Sequence, residues 1–236
     1  MTRLTSTMRW DVRLQIRNGF YYAAAFVALI IIILLSQFNV PASTLAMLFP
    51  LFIFQNILIN NFYFIAGLVL LEKGEGTLEG LVVTPLRKSE YLVSKLVTLA
   101  MLSLLETAVV VLIVYGFNAN LIWLAAGTIL LSLIYGLAGF SFVVRYDSIN
   151  TFILPSVPFT ALFSLPLLHY LGVWSSPLMY LHPLQAPLLL LKGAFQPIAA
   201  WEVIYGVVYS AVTIALAYAW SQRAFYKFVI LKEGVR

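Results

Sequence analysis

Apolar residues in this chain come in blocks too long and too continuous for a water-soluble fold. The run FVALIIIILL, from Phe26, offers no polar position from which a wetted surface could be built, and similar blocks recur along the chain. Of the 236 residues, 62% are hydrophobic and 10% charged, whereas a soluble domain needs roughly a quarter charged. Lipid is the solvent such a pattern implies. Every backbone polar group in lipid must be paired within the protein, which leaves helices or a closed barrel. The blocks lack the in-and-out alternation of barrel strands. The expectation is an all-α integral membrane protein, a single transmembrane domain over 1–236. Six spans are predicted, near 20–38, 44–71, 91–116, 121–144, 149–171 and 202–221. A hydrocarbon core about 30 Å thick needs about 20 helical residues, so the longer second span should project from the membrane or tilt.

The net charge of +5 is distributed by topology. Arg3, Arg9, Arg13 and Arg17 precede the first span, and Lys73, Arg87, Lys88 and Lys95 surround the connection between the second and third. Arg145 falls between the fourth and fifth, and Arg223, Lys227, Lys232 and Arg236 follow the last. Lys192 stands alone on the other side. The positive-inside rule then places both termini in the cytoplasm of a cell membrane. That accounts for the basic balance without nucleic acid, for which no basic-aromatic module is present. With no cysteine, neither a disulfide framework nor a thiolate metal site is available. The first apolar block is not followed by a small-residue cleavage site, so the start does not read as a signal peptide. Before that block Leu4, Met8, Val12 and Ile16, with Trp10, alternate with arginines at near-helical spacing. This predicts an amphipathic helix over 1–18 lying on the inner leaflet, in contact with lipid.

The segment LLEKGEGTLEGLVVTPLRKSEYLVSK, from Leu70 to Lys95, is the most specific in the chain. Gly74 and Gly76 permit a sharp turn. Thr77 can cap a short helix, TLEGLVV, whose Leu78, Leu81 and Val82 share one face. Pro85 ends it, and Ser89 can cap the third span with Glu90 in its first turn. A short helix held beside the membrane by two spans suits a cytosolic partner, and an ordinary interfacial loop helix would read the same way.

The run E-x-x-x-G-T-L-E-x-L-x-V-T-P-L, Glu72 to Leu86, followed by Glu90, Tyr91 and Lys95, resembles the signature of ABC type-2 transporter permeases. These are membrane subunits of ATP-driven exporters, and the small fluoroquinolone-type drug-export branch is the nearest match. The resemblance implies that 72–90 forms a cytoplasmic coupling helix docked on a separate nucleotide-binding ATPase subunit. It assigns Glu72, Gly76, Thr77, Leu78, Glu79, Pro85 and Leu86 to that contact. Arg9, Arg13 and Arg17 would belong to the connecting helix beside it. It further implies two ATPase copies carrying the ATP and magnesium, with no cofactor in this chain. A second permease subunit, identical or paralogous, would complete the assembly. No G-x-x-x-x-G-K-[ST] phosphate loop occurs in the sequence, so ATP hydrolysis would fall to the partner.

Polar groups inside the spans carry the remaining signals. At helical spacing Asn56, Asn60, Tyr63 and Gly67 form one stripe, which fits either a transport path or the polar glue between helices; Asn61 points off it. Glu106 is an intramembrane acid with no basic partner in its span. It is expected to be hydrogen-bonded to a neighbouring helix, and in a proton-coupled secondary transporter it would be the coupling group. Ser132 and Gly136, with Gly139 nearby, predict close helix packing. Pro155, Pro158 and Pro166 predict a kinked or broken fifth span, whose Phe152, Phe159 and Phe163 offer an aromatic surface to a hydrophobic substrate or to lipid. Residues 172–200 are too apolar for an ordinary external loop and too broken to span. They predict re-entrant half-helices, one of them PLLLLKG, starting at Pro187 and stopping at Gly193. His169 and His182 lack a third metal ligand, which favours packing roles. An intramembrane protease or lipid transferase finds no support, because Ser141 lies in GFSF and Asp11 and Asp147 stand apart in sequence. The reading is a permease moving a hydrophobic or amphiphilic drug-like or lipid-like substrate outward. A proton-coupled transporter and a non-transporting assembly subunit are the alternatives. Substrate identity and homodimer against heterodimer stay open.

Overall fold

A computed structural model describes residues 3–37, 40–78 and 87–230, and all regular structure among them is helical. Helix α1 (Arg3–Arg17) meets α2 (Phe20–Gln37) at an elbow, where the Asn18 side chain donates to the Leu14 carbonyl at 2.9 Å. Gly19 turns the chain with a φ of 84°, a left-handed value that favours glycine. Next come α3 (Ala42–Ile57), a π-helical turn (Leu58–Tyr63) and α4 (Phe64–Gly74), forming one continuous run. Then follow α5 (Lys88–Val114), α6 (Leu121–Val143), α7 (Ile149–Phe163) and α8 (Leu165–Tyr170). The 3-10 turn Pro177–Leu181 leads to α9 (Gln185–Gly193), and α10 (Ala200–Phe225) passes into a second π turn, Tyr226–Ile230.

Among the described residues, six helical runs are long and apolar enough to cross a membrane: Phe20–Gln37, Ala42–Gly74, Ser89–Val114, Leu121–Val143, Ile149–Tyr170 and Ala200–Phe228. They match the expected spans within a few residues at most ends. The second has 33 residues, which at about 1.5 Å per residue is roughly 50 Å. This exceeds the hydrocarbon thickness, so α4 carries Glu72 and Lys73 out of it.

Helix α6 is the centre of the bundle, contacting α4, α5, α9, α10 and the first π turn. Its Leu131, Tyr135, Phe140 and Val143 are fully enclosed. Gly139 explains how the π turn comes so close. A Cβ there would lie 2.7 Å from the Phe62 carbonyl oxygen and 2.9 Å from the Phe62 Cα. Gly136 similarly admits Leu96, which a Cβ would meet at 2.6 Å. Small residues thus replace the hydrophobic driving force that helices lack in lipid. The outer faces of α2 (Phe26, Leu29, Ile33) and α10 (Ile204, Val208, Leu216) are exposed and apolar, as lipid or a neighbouring subunit requires.

Local expectations meet mixed outcomes. The fifth span is broken, as its prolines predict; the break falls at Ser164, between α7 and α8, while Pro155 and Pro158 remain inside α7. Pro166 sits in the first turn of α8, where a missing N–H is harmless. Ser89 does not cap α5. The helix begins at Lys88, and the Arg87 N–H donates to the Glu90 carboxylate at 2.9 Å. Helix α9 begins at Gln185 instead of Pro187 and is buried along nearly its whole length against α3, α6 and α10. Helix α1 also packs in a way the sequence pattern does not predict: it turns Asp11, Leu14 and Gln15 toward the protein and leaves Trp10 and Ile16 exposed. Its protein-facing side is therefore largely polar.

Candidate functional site

The inward face of α1 meets α5 through three buried hydrogen bonds. Gln15 Nε2 donates to Thr98 Oγ1 at 2.8 Å. Asp11 accepts from Lys95 Nζ at 2.8 Å and from the Ser94 hydroxyl. The same ammonium reaches Glu72 Oε1, at the end of α4, at 2.6 Å, and the Tyr91 hydroxyl donates to the other Glu72 oxygen. Only 1% of the Lys95 side chain is accessible, against 3% for Asp11 and 13% for Glu72. Two carboxylates and one ammonium leave the cluster formally negative. The Ser94 and Tyr91 hydroxyls occupy acceptor positions that the single ammonium cannot fill. The result is a brace joining α1, α4 and α5.

Beside the brace lies an open groove of about 690 Å³ between α1 and the end of α4. Arg9, Arg13 and Arg17 of the expected connecting helix line one side, and Glu72, Glu75 and Thr77 line the other. Arg17 and Glu75 approach to 3.8 Å across it, with more than 40% of each side chain exposed (63% and 47%); a pair so solvated contributes little. Gly76 makes the turn beyond α4 with a φ of 68°. Thr77 is already helical, and its hydroxyl donates back to the Glu72 carbonyl at 3.0 Å, so it does not act as the expected cap. Leu78 is buried. Glu79, Pro85 and Leu86 lie outside the described residues. Lys73 steadies the end of α4 from its other face, donating to the carbonyls of Val144 and Tyr146 at 2.8 and 2.7 Å, with Asp147 at 3.6 Å. A cation at the carbonyl end of α6 also complements that helix's dipole.

Within the membrane the expected stripe does not hold together. A π turn needs more residues per turn than an α-helix, so residues on either side of Leu58–Tyr63 fall out of 3.6-residue phase. Asn60 donates to the Glu106 carboxyl on α5. Asn61 bonds Ser103 Oγ at 2.7 Å and Ser132 Oγ at 3.3 Å, while the Tyr63 hydroxyl lies 3.3 Å from Thr160 Oγ1 on α7. Gly67 faces the Phe20 ring. Asn56 is buried, and its Oδ1, like Glu106 Oε1, has no hydrogen-bond partner among the described residues. Phe159 and Phe163 instead join Tyr63 in an aromatic cluster around Phe62, Phe142 and Phe152. The candidate path residues therefore form two groups, a polar one toward α5 and an aromatic one toward α7. Both histidines have packing contacts: His169 lies edge-on to Tyr180, and His182 Nδ1 accepts from the Leu184 N–H at 3.2 Å. Among the described residues no three His, Asp or Glu side chains are grouped to hold a metal.

The sequence pattern of the fluoroquinolones export permease protein family matches residues 2–233. The chain belongs to that family. Among curated relatives, the fluoroquinolones export permease proteins Rv2687c and MT2761, from two strains of Mycobacterium tuberculosis, are each 38% identical to it over 238 residues. In both cases the alignment covers the whole of each chain.

The permease also holds functional candidates that reading the sequence missed. In sequence Asp11 stands isolated, and Lys95 reads as a topology charge and as one residue of the family-like signature with no role of its own, yet the two form the buried centre of the brace. The one available signal was Asp11 itself, an acid set among four arginines on a helix that the membrane surface alone would not require. No compositional mark betrays the π turn.

Proposed function

We propose that the chain is the membrane subunit of an ATP-driven exporter that moves amphiphilic drugs out of the cytoplasm. It would work as a pair, with itself or a paralogue, and two nucleotide-binding subunits would carry ATP and magnesium. Both termini would face the cytoplasm of the cell membrane. The groove between α1 and the end of α4 would receive the ATPase subunit, with the loop from Thr77 to Leu86 as the coupling element. The observation carrying this reading is the Asp11–Lys95–Glu72 brace, which makes α1, α4 and α5 one stiff unit beneath that loop. A push delivered there would move three helices together instead of bending one. The family's name and the absence of a phosphate-binding loop in the sequence support the division of labour.

The test is affinity purification of the tagged chain from native membranes in mild detergent. The expected result is a stoichiometric partner bearing a G-x-x-x-x-G-K-[ST] loop. That partner should be lost from a Thr77→Arg, Arg13→Glu double variant, both residues being exposed on the groove, that still inserts into the membrane. A chain that purifies without an ATPase, or whose ATPase ignores the double variant, contradicts the docking assignment.

A second reading, proton-coupled transport, draws on the buried Glu106 carboxyl and its Asn60 partner. It predicts transport that follows a proton gradient and needs no second polypeptide.

A further inference from the structure

The last turns of α10 are fixed against α6 and α5. The Ser221 hydroxyl lies 2.8 Å from the Ser141 hydroxyl and 3.1 Å from the Leu137 carbonyl oxygen, both on α6. The Phe225 ring packs on Phe140 of α6 and Tyr91 of α5, with centroids 5.7 and 5.5 Å away. These contacts bring the chain just past α6 to the end of α10. Arg145, two residues beyond α6, has its guanidinium 5.7 Å from the Trp220 ring centroid and 5.5 Å from that of Phe228. Lys227 Nζ lies 5.5 Å from the centroid of the same Phe228 ring.

Two cations therefore gather on one ring, and no anion among the described residues answers them. Neither Arg145 nor Lys227 makes a hydrogen bond or ion pair there; the carboxylate nearest in sequence, Asp147, is engaged by Lys73 at 3.6 Å. Arg223, exposed one turn before Lys227, adds a third cation without such a partner. Ring faces hold a cation in place, but they leave the five N–H donors of a guanidinium unused. Like charges drawn to one place repel, and an anion between them would reverse the sign of that interaction.

The surroundings say what kind of anion fits. Trp220 is 42% exposed near the end of the last crossing, and indoles favour the headgroup level of a bilayer. From it Leu216, Val212 and Val208, four residues apart, continue as an exposed apolar ridge. A dozen helical residues rise about 18 Å, close to the depth of one leaflet in a hydrocarbon core about 30 Å thick. A soluble phosphate would use the cations and have no need of the ridge. We propose that an anionic phospholipid binds here, its phosphodiester held by Arg145 and Lys227 and an acyl chain lying along Val208, Val212, Leu216 and Trp220. The planar guanidinium is suited to two parallel bonds to phosphate oxygens. The site uses none of the residues assigned to docking or transport, and a bound lipid would tie the end of α6 to the end of α10.

The experiment is native mass spectrometry of the purified full-length chain in mild detergent, titrated with phosphatidylglycerol or with phosphatidylcholine of the same acyl chains. The expected result is one tight phosphatidylglycerol adduct with no phosphatidylcholine counterpart. Arg145→Gln and Lys227→Gln should each weaken it about fivefold, the effect of one basic residue beside anionic lipid. Arg87→Gln removes the same charge from an exposed position before α5 and should leave the adduct unchanged. Melting in phosphatidylcholine alone reports folding, and if Arg145→Gln melts low there, the exposed Lys227→Gln decides. Added phosphatidylglycerol should raise the melting temperature of the wild type and Arg87→Gln more than that of the other two. Equal binding of both lipids, equal loss in all three variants, or displacement of the lipid by inorganic phosphate overturns the site. Dimers that form in place of the adduct and dissociate in Lys227→Gln would give this face to a second copy of the chain instead.

Discussion

Lys95 is an ammonium almost wholly withdrawn from water, and its neighbours must account for that. The cost of burying an ion is offset only by close, well-hydrogen-bonded partners, and Lys95 has two carboxylates within 2.8 Å. Lys95→Met leaves those carboxylates facing each other and should cost roughly 3–5 kcal/mol, read as a lower melting temperature in detergent. Adding Asp11→Asn and Glu72→Gln removes the uncompensated charge and should recover much of the loss. A triple variant no more stable than Lys95→Met would mean that the brace is not electrostatic. His182 makes a second prediction, on the segment between α8 and α9. Burial holds its imidazole below the ordinary value of 6.5, opposed by a hydrogen bond to the Leu162 carbonyl. As pH falls, the unfolded chain takes up this proton before the folded one does. The stability contribution is therefore complete above 6.5 and declines as pH drops through the lowered folded value. Melting measured from pH 7.5 to 5 should fall less in His182→Asn, whose side-chain oxygen can still accept from Leu184. At this scale the sequence was legible for Glu106, whose isolation in its span demanded a partner on another helix. It was opaque for Asp11 and Lys95, because helical spacing names a face but not the neighbour that folding brings to it from 84 residues away.

Helices α3 and α4 form one crossing, and the π turn between them decides which side chains look inward. Asn60 and Asn61 are adjacent in sequence, yet both reach polar groups on other helices; a regular helix would separate them by about 100°. The turn also presses the Phe62 backbone onto Gly139. Gly139→Val would force that contact apart and should destabilise by about 1–3 kcal/mol or more, detected as lower thermal stability. Gly74→Ala meets no atom within 4 Å and serves as the control, expected to melt at or above the wild type. The six crossings were readable because long apolar blocks have no other stable solution in lipid. The π turn was not, since widening a helix by a fraction of a turn alters no residue type. Three prolines gave equal warning of a break in the fifth span, but the break fell at Ser164, before the proline that could start a new helix. The polar burial of α1 was hidden by its apolar residues, which suggested a membrane surface as the sole support.

Across the whole molecule, the charge pairs among the described residues gather at the two ends, with the Asn60–Glu106 and Asn61 contacts between them. At one end are the brace and its arginine-lined groove, and at the other a cavity lined by Lys192 and Glu202. The long second crossing joins them, beginning at Ala42 beside that cavity and ending near Glu72 in the brace. If the proposed docking holds, this continuity would give a physical route by which a push at the groove could reach the cavity at the other end, through a crossing packed against the central α6. It also separates the two energy sources the molecule could use. On the proposed reading, ATP hydrolysed by a partner subunit would act at the groove, whereas a proton gradient would act at Glu106. The decisive measurement is norfloxacin transport into inside-out proteoliposomes containing the permease with its ATPase subunit. The account predicts uptake that requires ATP and the ATPase subunit, survives a protonophore, and is lost in the Thr77→Arg, Arg13→Glu double variant. Uptake driven by a proton gradient without the ATPase subunit, and abolished by Glu106→Gln, would contradict it.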